Sequence, residues 1–291
     1  MEPGDLRVND RVAGVVILYQ PPGSVLTNVQ TYLKDVGVLF VWDNSPECCQ
    51  SRVGTLRQFD RVVYFTEGRN VGIARALNVA AKRAMKEGFD FLLTMDQDSY
   101  ASDGMIGTML SLAANDTSIG LITPFHLDRN APQLPPVEDV EPVVTAMTSG
   151  NLVRLSAHEK VGGFMEKLFI DYVDIEFCLR LQIKGFSVIR ANRAILSHEE
   201  GHFTNRRFFG LTVHPTNHGP ARYYYRTRNR IYLRRLYGHR FPLYFRHDRR
   251  VYWRSVLKML MYETQRCHKL VMIVRGLSAW LRNDFESISI P

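Results

Sequence analysis

Two aspartates separated by one residue, Asp96 and Asp98, are well suited by type and position to bind a metal ion. They directly follow the apolar run 91–95, which has the composition of a buried strand. Open α/β sheets bind ligands at the carboxyl ends of their strands, where paired carboxylates can hold Mg²⁺ or Mn²⁺ together with diphosphate oxygens. A solvated turn that caps a helix at Ser99 or Ser102 explains the spacing about equally well.

A second acidic group, formed by Asp171, Asp174 and Glu176, precedes Cys178-Leu179-Arg180. Asp174 and Glu176 fall at the start of a predicted helix, where the helix dipole stabilises negative charge. From the residues alone, a catalytic role and a helix-dipole role therefore remain alternatives.

Three further polar sites follow apolar runs or precede helices. Asp43-Asn44-Ser45-Pro46 closes a predicted strand, Asn70-Val71-Gly72 starts a predicted helix, and His198 follows a third apolar run. Turn formation, a helix start and a structural histidine are the ordinary explanations of these residues. Their shared position at strand ends nevertheless predicts one ligand site at one edge of a sheet.

The elements that must position these residues alternate short β-branched runs with segments of helical period, as in a βαβ sheet. The predicted strands are Val12–Tyr19, Val38–Trp42, Arg61–Phe65, Phe89–Met95, Ile119–Thr123, Val143–Met147 and Phe186–Arg190. The predicted helices are Ser24–Lys34, Gly72–Glu87 and Val173–Lys184. Five prolines between residues 124 and 142 predict a surface loop. The fold class is α/β, with a mostly parallel, Rossmann-like sheet flanked by helices.

The last third of the chain differs in composition. Residues 199–220 are rich in Gly, His, Asn and Pro, which predicts a loop, and a helical segment follows from Arg222. Between Arg222 and Arg254 there are eleven arginines and one acid, Asp248, so this segment is more basic than the whole chain, whose net charge is +8. We therefore expect two domains, residues 1–200 and residues 201–291, with a basic surface on the second that could bind phosphate groups.

Several classes of protein are excluded by what the sequence lacks. It contains no G-x-G-x-x-G, Walker A or His-Glu-x-x-His motif. Its four cysteines form no Cys-x-x-Cys pair, and residues 1–11 lack the pattern of a signal peptide, which predicts reduced thiols in a cytoplasmic protein. Charged residues interrupt the apolar stretch 251–281, so we expect it to lie on a bilayer rather than to cross one.

Taken in order, the motifs resemble those of inverting GT-A glycosyltransferases, and among these most closely bacterial rhamnosyltransferases that use dTDP-L-rhamnose. The motifs that carry the resemblance are Leu18-Tyr19-Gln20-Pro21, Asp43-Asn44-Ser45, Asn70-Val71-Gly72-Ile73-Ala74 with Asn78, Asp96-Gln97-Asp98, Ser149-Gly150-Asn151, Phe169 to Glu176 through Arg180, and His198. Beyond residue 200 only Tyr223-Tyr224-Tyr225 and Arg228-Asn229 resemble the family. Many relatives carry a Glu-Asp pair before the last helix of the domain; here Val173 replaces its first member.

This resemblance implies a GT-A fold with a C-terminal helical appendage and a set of residue roles. Nucleotide and donor binding is expected from Tyr19, Asp43, Asn70, Asp96 and Gln97. Asp98, joined by His198, would bind Mg²⁺ or Mn²⁺. Asp174 would be the catalytic base, with Asp171 as a nearby rival, and Gly150, Asn151, Asp171, Glu176 and Arg180 would lie on the acceptor side.

The same resemblance implies a saccharide acceptor, lipid-linked, in bacterial cell-surface polysaccharide synthesis. The basic C-terminal helices would rest on the anionic cytoplasmic face of the inner membrane, and a homo-oligomer is compatible with the sequence. A UDP-sugar is the nearest alternative donor. A non-catalytic homologue is disfavoured because Asp98 and Asp174 are both present. A nucleic-acid binder is disfavoured because residues 222–254 contain no recognised motif.

Overall fold

The computed structural model describes residues 8–46, 50–128, 136–198, 206–208, 211–213 and 218–288. Residues 1–7 and the Cys48-Cys49 pair, on which the export and thiol predictions partly rest, lie outside this description. The chain folds into two compact units. Unit 1 comprises Met1–Glu166 and Asp174–Glu199, and unit 2 comprises Lys167–Val173 and Glu200–Pro291.

Unit 1 is built on one large sheet. Its strands are β1 Val12–Leu18, β2 Val38–Asp43, β3 Val62–Thr66, β4 Phe91–Asp96, β5 Ser99–Ala101, β6 Ile119–Asp128, β7 Val140–Pro142, β8 Asn151–Arg154 and β9 Ser187–His198. They lie in the order β3-β2-β1-β4-β8-β6-β9-β5, and β7 pairs with β9. The predicted parallel arrangement is found in β3-β2-β1-β4 and in β6-β9, whereas the pairs that involve β5, β7 and β8 are antiparallel.

Helices flank this sheet and bury a continuous core against it. They are α1 Val8–Arg11, α2 Val25–Leu33, α3 Gln50–Leu56, α4 Ile73–Lys86, α5 Met105–Asn115, α6 Leu155–Val161 and α7 Val173–Ile183, with a 3₁₀ turn at Glu166–Leu168. Helix α4 packs through small side chains: its alanines at positions 74, 76, 80, 81 and 84 are buried together with Leu77. Small side chains on that face let the helix approach the sheet closely.

Two sequence predictions are wrong in this region. Residues 143–147 form no strand; the strand is β8, which starts after the turn at Gly150 and inserts antiparallel between β4 and β6. The predicted loop at 124–142 also begins too early, since β6 continues to Asp128. Pro124 is tolerated inside β6 because the β6–β9 register shifts between Pro124 and Phe125, where a missing N–H costs no regular ladder bond. Residues 129–135 of that predicted loop lie outside the described residues.

Unit 2 contains a short hairpin and three helices. They are β10 Arg206–Phe208 and β11 Leu211–Val213, then α8 Pro220–Tyr237, α9 Pro242–Tyr262 and α10 Arg266–Leu281. Gly276 of α10 lies so close to α8 that an added Cβ would meet the Tyr224 carbonyl oxygen at 2.5 Å. The predicted helical extension is thus present, but the compact unit also includes Lys167–Val173. No helix in the described part of the chain is both long and apolar enough to span a bilayer.

Candidate active site

The ends of three neighbouring parallel strands bring the first group of predicted site residues to one edge of the sheet. Leu18 at the end of β1 is in register with Asp43 at the end of β2, and Ile17 is in register with Asp96 at the end of β4. Tyr19 follows β1 directly. Since these strands run in parallel, the sequence position of each polar residue after its apolar run determines that they meet at this edge.

Asp43 is held rigidly at that edge. It is 1% exposed, its Oδ2 accepts a hydrogen bond from the Tyr64 hydroxyl at 2.8 Å, and its Oδ1 accepts one from the Ser45 backbone N–H at 2.8 Å. Each carboxylate oxygen has a second lone pair, so the group can still accept a hydrogen bond from a ligand. Sequence reasoning missed Tyr64, whose position near the end of β3 beside β2 was the available signal.

Gln97 fixes the backbone of Tyr19. Its Oε1 accepts from the Tyr19 N–H at 2.9 Å and its Nε2 donates to the Tyr19 carbonyl at 3.2 Å, while the Gln97 carbonyl accepts from the Asn28 side chain at 3.0 Å. The Gln97 side chain, which is predicted to bind the donor, is therefore hydrogen-bonded to the backbone of the protein. This geometry gives Gln97 a role in placing Tyr19, and direct contact with a donor stays a prediction.

Asn44, which sequence reasoning quoted but gave no role, ties the end of β2 to the segment before α4. Its Oδ1 accepts from Trp42 Nε1 at 3.0 Å and from the Val71 N–H at 3.2 Å, and its Nδ2 donates to the Gly72 carbonyl at 3.3 Å. Asn70 Oδ1 accepts from the Gly72 N–H at 2.9 Å. Gly72 has φ 83° and ψ 167°, which is open almost only to glycine. Asn70 therefore lies beside the β2 end in a defined turn.

Ser149 braces the residues around Asp96 and Asp98. Its Oγ accepts from the Asp96 N–H at 3.1 Å and lies 2.6 Å from Ser99 Oγ, and its carbonyl lies 2.9 Å from His126 Nε2. Asp98 Oδ1 is shielded from solvent. The loop that precedes β8 thus fixes the Asp96-Gln97-Asp98 turn.

Gly150 and Asn151, predicted on the acceptor side, are both buried. Gly150 has φ 80°, and an added Cβ would lie 2.6 Å from Pro124 Cγ and 2.9 Å from Leu196 Cδ2. Asn151 is in register with Thr94 of β4 and donates through Nδ2 to the Met147 carbonyl at 2.5 Å. Both residues have a structural role at the start of β8, which explains the glycine and the asparagine at these positions.

The proposed metal ligands converge through the backbone. β5 starts one residue after Asp98, and Ser99 pairs with His198 at the end of β9. The His198 side chain lies outside the described residues, so its part in metal binding stays a prediction. Among the described residues, no group of three or more His, Cys, Asp or Glu side chains is arranged to hold a metal ion. The carboxylate oxygens of Asp96 and Asp98 are nevertheless donors of the type that Mg²⁺ and Mn²⁺ prefer.

Glu176 and Arg180 form a buried ion pair inside unit 1. Glu176 is fully buried, and Arg180 binds its two oxygens at 2.8 and 2.6 Å. Arg180 also donates to the carbonyls of Val161 and Gly163. Both charged groups hold α7 to the end of α6, and an acceptor-side role for them stays a prediction. Their spacing of four residues on a helix was the signal for such a pair.

The two rival carboxylates, Asp171 and Asp174, differ in their surroundings. Within unit 2, both Asp171 oxygens are bound by Arg222, at 2.8 and 2.5 Å. In unit 1, Asp174 lies in the first turn of α7, is partly exposed, and accepts from the Ile175 N–H at 2.8 Å through Oδ1. A carboxylate that is already bidentate to arginine is a weak base, which argues against Asp171, and the role of Asp174 as the base stays a prediction.

Comparisons with known proteins agree with this architecture. Residues 23–147 match the family described as Glycosyl transferase family 2. Over 246 residues the chain is 28% identical to a dTDP-rhamnosyl transferase of Shigella flexneri, RfbF, in an alignment that covers 78% of this chain and 81% of that protein.

Solved structures with low sequence identity share the fold. Residues 1–349 of S. aureus TarS in complex with UDP-GlcNAc align with a TM-score of 0.55 and 14% identity, covering 94% of this chain and 73% of that one. GalNAc-T7 with UDP, GalNAc and Mn²⁺ aligns with a TM-score of 0.55 and 12% identity over 69% of this chain, which spans 45% of the GalNAc-T7 chain. The chain has the GT-A fold, and it is a glycosyltransferase.

Proposed function

We propose that the protein is an inverting rhamnosyltransferase that transfers L-rhamnose from dTDP-L-rhamnose to a lipid-linked saccharide in bacterial cell-surface polysaccharide synthesis. The observation that carries this proposal is the convergence of Tyr19, Asp43 and Asp96 at one sheet edge, in a chain similar to a dTDP-rhamnosyl transferase. Tyr19 would line the base pocket, and Asn70 and Asp96 would hold the nucleoside.

Asp43 would recognise the base. Thymine presents one N–H donor, at N3, and a carboxylate fixed by Tyr64 and Ser45 is a matching acceptor. Uracil presents the same N–H, so this contact selects a pyrimidine dione rather than thymine. A UDP-sugar is therefore the second candidate donor, supported by the UDP-GlcNAc complex of the similar TarS fold.

Asp98 would hold a divalent cation, with His198 as the second proposed ligand. The cation, when bound, would neutralise the negative charge that develops on the leaving diphosphate. Similarity to GalNAc-T7 crystallised with Mn²⁺ supports this assignment at the level of the fold.

Asp174 would act as the general base. It would take the proton of an acceptor hydroxyl while that oxygen forms a bond to the anomeric carbon of rhamnose. The bond from that carbon to the diphosphate oxygen breaks on the opposite face, and the diphosphate leaves with the bonding electron pair. One displacement from the opposite face inverts the anomeric configuration.

The C-terminal helices would hold the enzyme at an anionic membrane. On α9, Leu243, Trp253 and Leu257 are 75%, 60% and 57% exposed, and on α10, Val274 and Leu281 are 65% and 69% exposed. Asp248, the only acid among the eleven arginines of residues 222–254, is paired with Arg230 at 2.7 Å. Exposed apolar side chains in a segment with a large excess of arginine suit the cytoplasmic face of the inner membrane, where lipid-linked acceptors would be presented.

Nucleotide binding tests the donor. The protein with Mg²⁺ is heated with dTDP, with dUDP, which differs from dTDP by one methyl group, and with UDP, all at one concentration, about 100 times the dissociation constant of the tightest ligand. We expect dTDP to stabilise the fold most, by about 2.7 kcal/mol under these conditions. Greater stabilisation by UDP would indicate a UDP-sugar as the donor, and no stabilisation by any of the three would overturn the nucleotide site.

Transfer assays test the metal. Chelation with EDTA should abolish transfer from dTDP-L-rhamnose, and added Mg²⁺ or Mn²⁺ should restore it. Asp98→Asn should lose transfer in all of these conditions. Full transfer by the parent enzyme in EDTA, with no bound metal detected, would remove the metal from the proposal.

Sedimentation with vesicles tests membrane binding. Trp253→Ser with Leu257→Ser should weaken binding to anionic vesicles at low salt, whereas Val144→Ser, which removes an exposed apolar side chain from unit 1, should not. Equal sedimentation with neutral and anionic vesicles would overturn the role of the arginines, and no sedimentation with either would overturn the membrane assignment. A concentration-dependent dimer broken by the same double variant would assign the surface to a second copy of the chain.

A further inference from the structure

The segment immediately before α7 has an unusual backbone. Phe169, Asp171 and Tyr172 have φ values of 66°, 59° and 67°, so three non-glycine residues within four positions lie in the left-handed region. This conformation is strained for an L-residue and persists only where surrounding contacts fix it. The segment continues without interruption into Val173, the first residue of α7, and Asp174.

Helix α8 supplies the contacts that fix this backbone. Asn229 is fully buried, and its Nδ2 donates to the carbonyls of Leu168, Ile170 and Asp171 at 2.8, 2.9 and 3.0 Å. Arg228, next to it and also fully buried, donates to the Leu168 carbonyl at 3.4 Å. One amide therefore gathers three carbonyls that regular secondary structure would otherwise have to satisfy.

The side chains of the segment are also held within unit 2. Phe169 stacks on Tyr225 with a centroid distance of 5.1 Å, and Asp171 is bidentate to Arg222. The Tyr172 hydroxyl donates to Asp248 Oδ1 at 2.6 Å. Each strained residue thus has its own side-chain anchor, whereas Asn229 is common to the backbone of the whole segment.

We infer that Asn229 is a positioning residue for the catalytic base, acting through the backbone of residues 168–171. By fixing the carbonyls of this segment, it fixes the backbone that leads directly into Val173 and Asp174, the first two residues of α7. This inference rests on the proposed role of Asp174. A small misplacement of a catalytic group is costly, since about 1 Å can lower a rate by about a hundredfold.

A double-mutant cycle tests the inference. Asn229→Ala, Asp174→Asn and the double variant are compared for kcat of transfer, KM for dTDP-L-rhamnose and affinity for dTDP. We expect Asn229→Ala to lower kcat at least about tenfold, with dTDP affinity changed less than about twofold. Because Asn229 acts through Asp174, the second substitution should then cost much less in the Asn229→Ala background than alone.

Thr227→Val is the matched control. Thr227 is also buried on α8, and its hydroxyl bonds to the Tyr223 carbonyl and the Tyr252 hydroxyl at 2.7 Å each, not to residues 167–173. This variant should lose stability but keep kcat. Asn229→Ser, which keeps one donor, should lie between the parent and Asn229→Ala in kcat and serves if the alanine variant does not fold.

The outcomes separate the two assignments. If Asp174→Asn alone transfers normally, the base assignment of the proposed function falls. If Asp174→Asn strongly lowers transfer but the effects of the two substitutions multiply independently, or if Asn229→Ala keeps full kcat, the positioning role is overturned while the base stands.

Discussion

Asp43 in unit 1 and Asp171 in unit 2 are both buried or nearly so, and each accepts a hydrogen bond through both carboxylate oxygens, yet their backbones differ. Asp43 ends a regular strand, in register with its neighbour, and its carboxylate is held by Tyr64 from the adjacent strand. Asp171 sits at φ 59° in an irregular segment, and its carboxylate is held by Arg222, which lies 51 residues later in the chain.

The difference shows two ways to place a functional side chain. At the sheet edge of unit 1 the strands are regular, so residue position follows from strand length, and positive φ angles occur at Gly72, at Gly150 and at Gln20, which follows Tyr19. In the 167–173 segment of unit 2, distant helices impose the backbone through side-chain hydrogen bonds. Four experiments test this contrast, given in order of decreasing expected effect.

Asp174→Asn should have the largest effect. It preserves size and most hydrogen bonding but removes basicity, so transfer should fall by about 10² to 10⁴-fold, about 3–5 kcal/mol of barrier, with dTDP affinity unchanged. Asp171→Asn, which weakens the pair with Arg222, should lose much less. The reverse ranking in steady-state kinetics would indicate that Asp171, within the strained segment, is the base.

Glu176→Gln should reduce stability rather than chemistry. Removing the buried carboxylate leaves the charge of Arg180, whose side chain is 17% exposed, poorly compensated, which costs about 3 kcal/mol. Urea denaturation should show this loss, while kcat of the folded fraction stays within a few fold of the parent. A large loss of kcat without loss of stability would support an acceptor-side role for Glu176.

Acid should destabilise each unit through one histidine. Burial, assisted by Arg180, lowers the pKa of His158 in unit 1 to about 4, and burial, assisted by Arg222, lowers the pKa of His218 in unit 2 to about 4. Each histidine binds its proton more weakly when folded, so its contribution is complete above pH 6.5, falls as the pH drops from 6.5 towards 4, and is lost below that. The loss is on the order of 3 kcal/mol per histidine.

Denaturation at about pH 7.5 and about pH 5 compares the parent with His158→Gln and His218→Gln. Each variant should show a smaller acid-induced loss than the parent over this interval. If His158→Gln keeps the full loss while His218→Gln abolishes it, the acid sensitivity belongs to unit 2 alone.

Tyr64→Phe should have the smallest effect. It removes the hydroxyl that donates to Asp43 but keeps the ring, which Arg57 covers at 4.0 Å from its centroid. We expect dTDP affinity to fall about two- to tenfold, or about 1 kcal/mol, with kcat unchanged, as measured by calorimetry and kinetics. No change in affinity would mean that the strand geometry alone places Asp43.

Much of the sheet edge was predictable because it depends on local pattern. Apolar runs that end in Asp43 and Asp96 predict strand ends, and parallel strands align those ends whatever the distant partners are. The helical C-terminal region was also predicted from composition. The antiparallel strand β8 was missed, because its four residues carry too little periodicity to be recognised and its place between β4 and β6 is a long-range pairing.

Sequence alone predicts which residues have suitable chemistry and the order in which they reach one edge of an α/β sheet, since side-chain type and strand period are local properties. The partners that hold the carboxylates depend on tertiary packing. Arg222 binds Asp171, Arg180 binds Glu176 and Tyr64 donates to Asp43. Apart from the helical Glu176–Arg180 spacing, these partners are chosen by packing between segments distant in sequence, which no local pattern records.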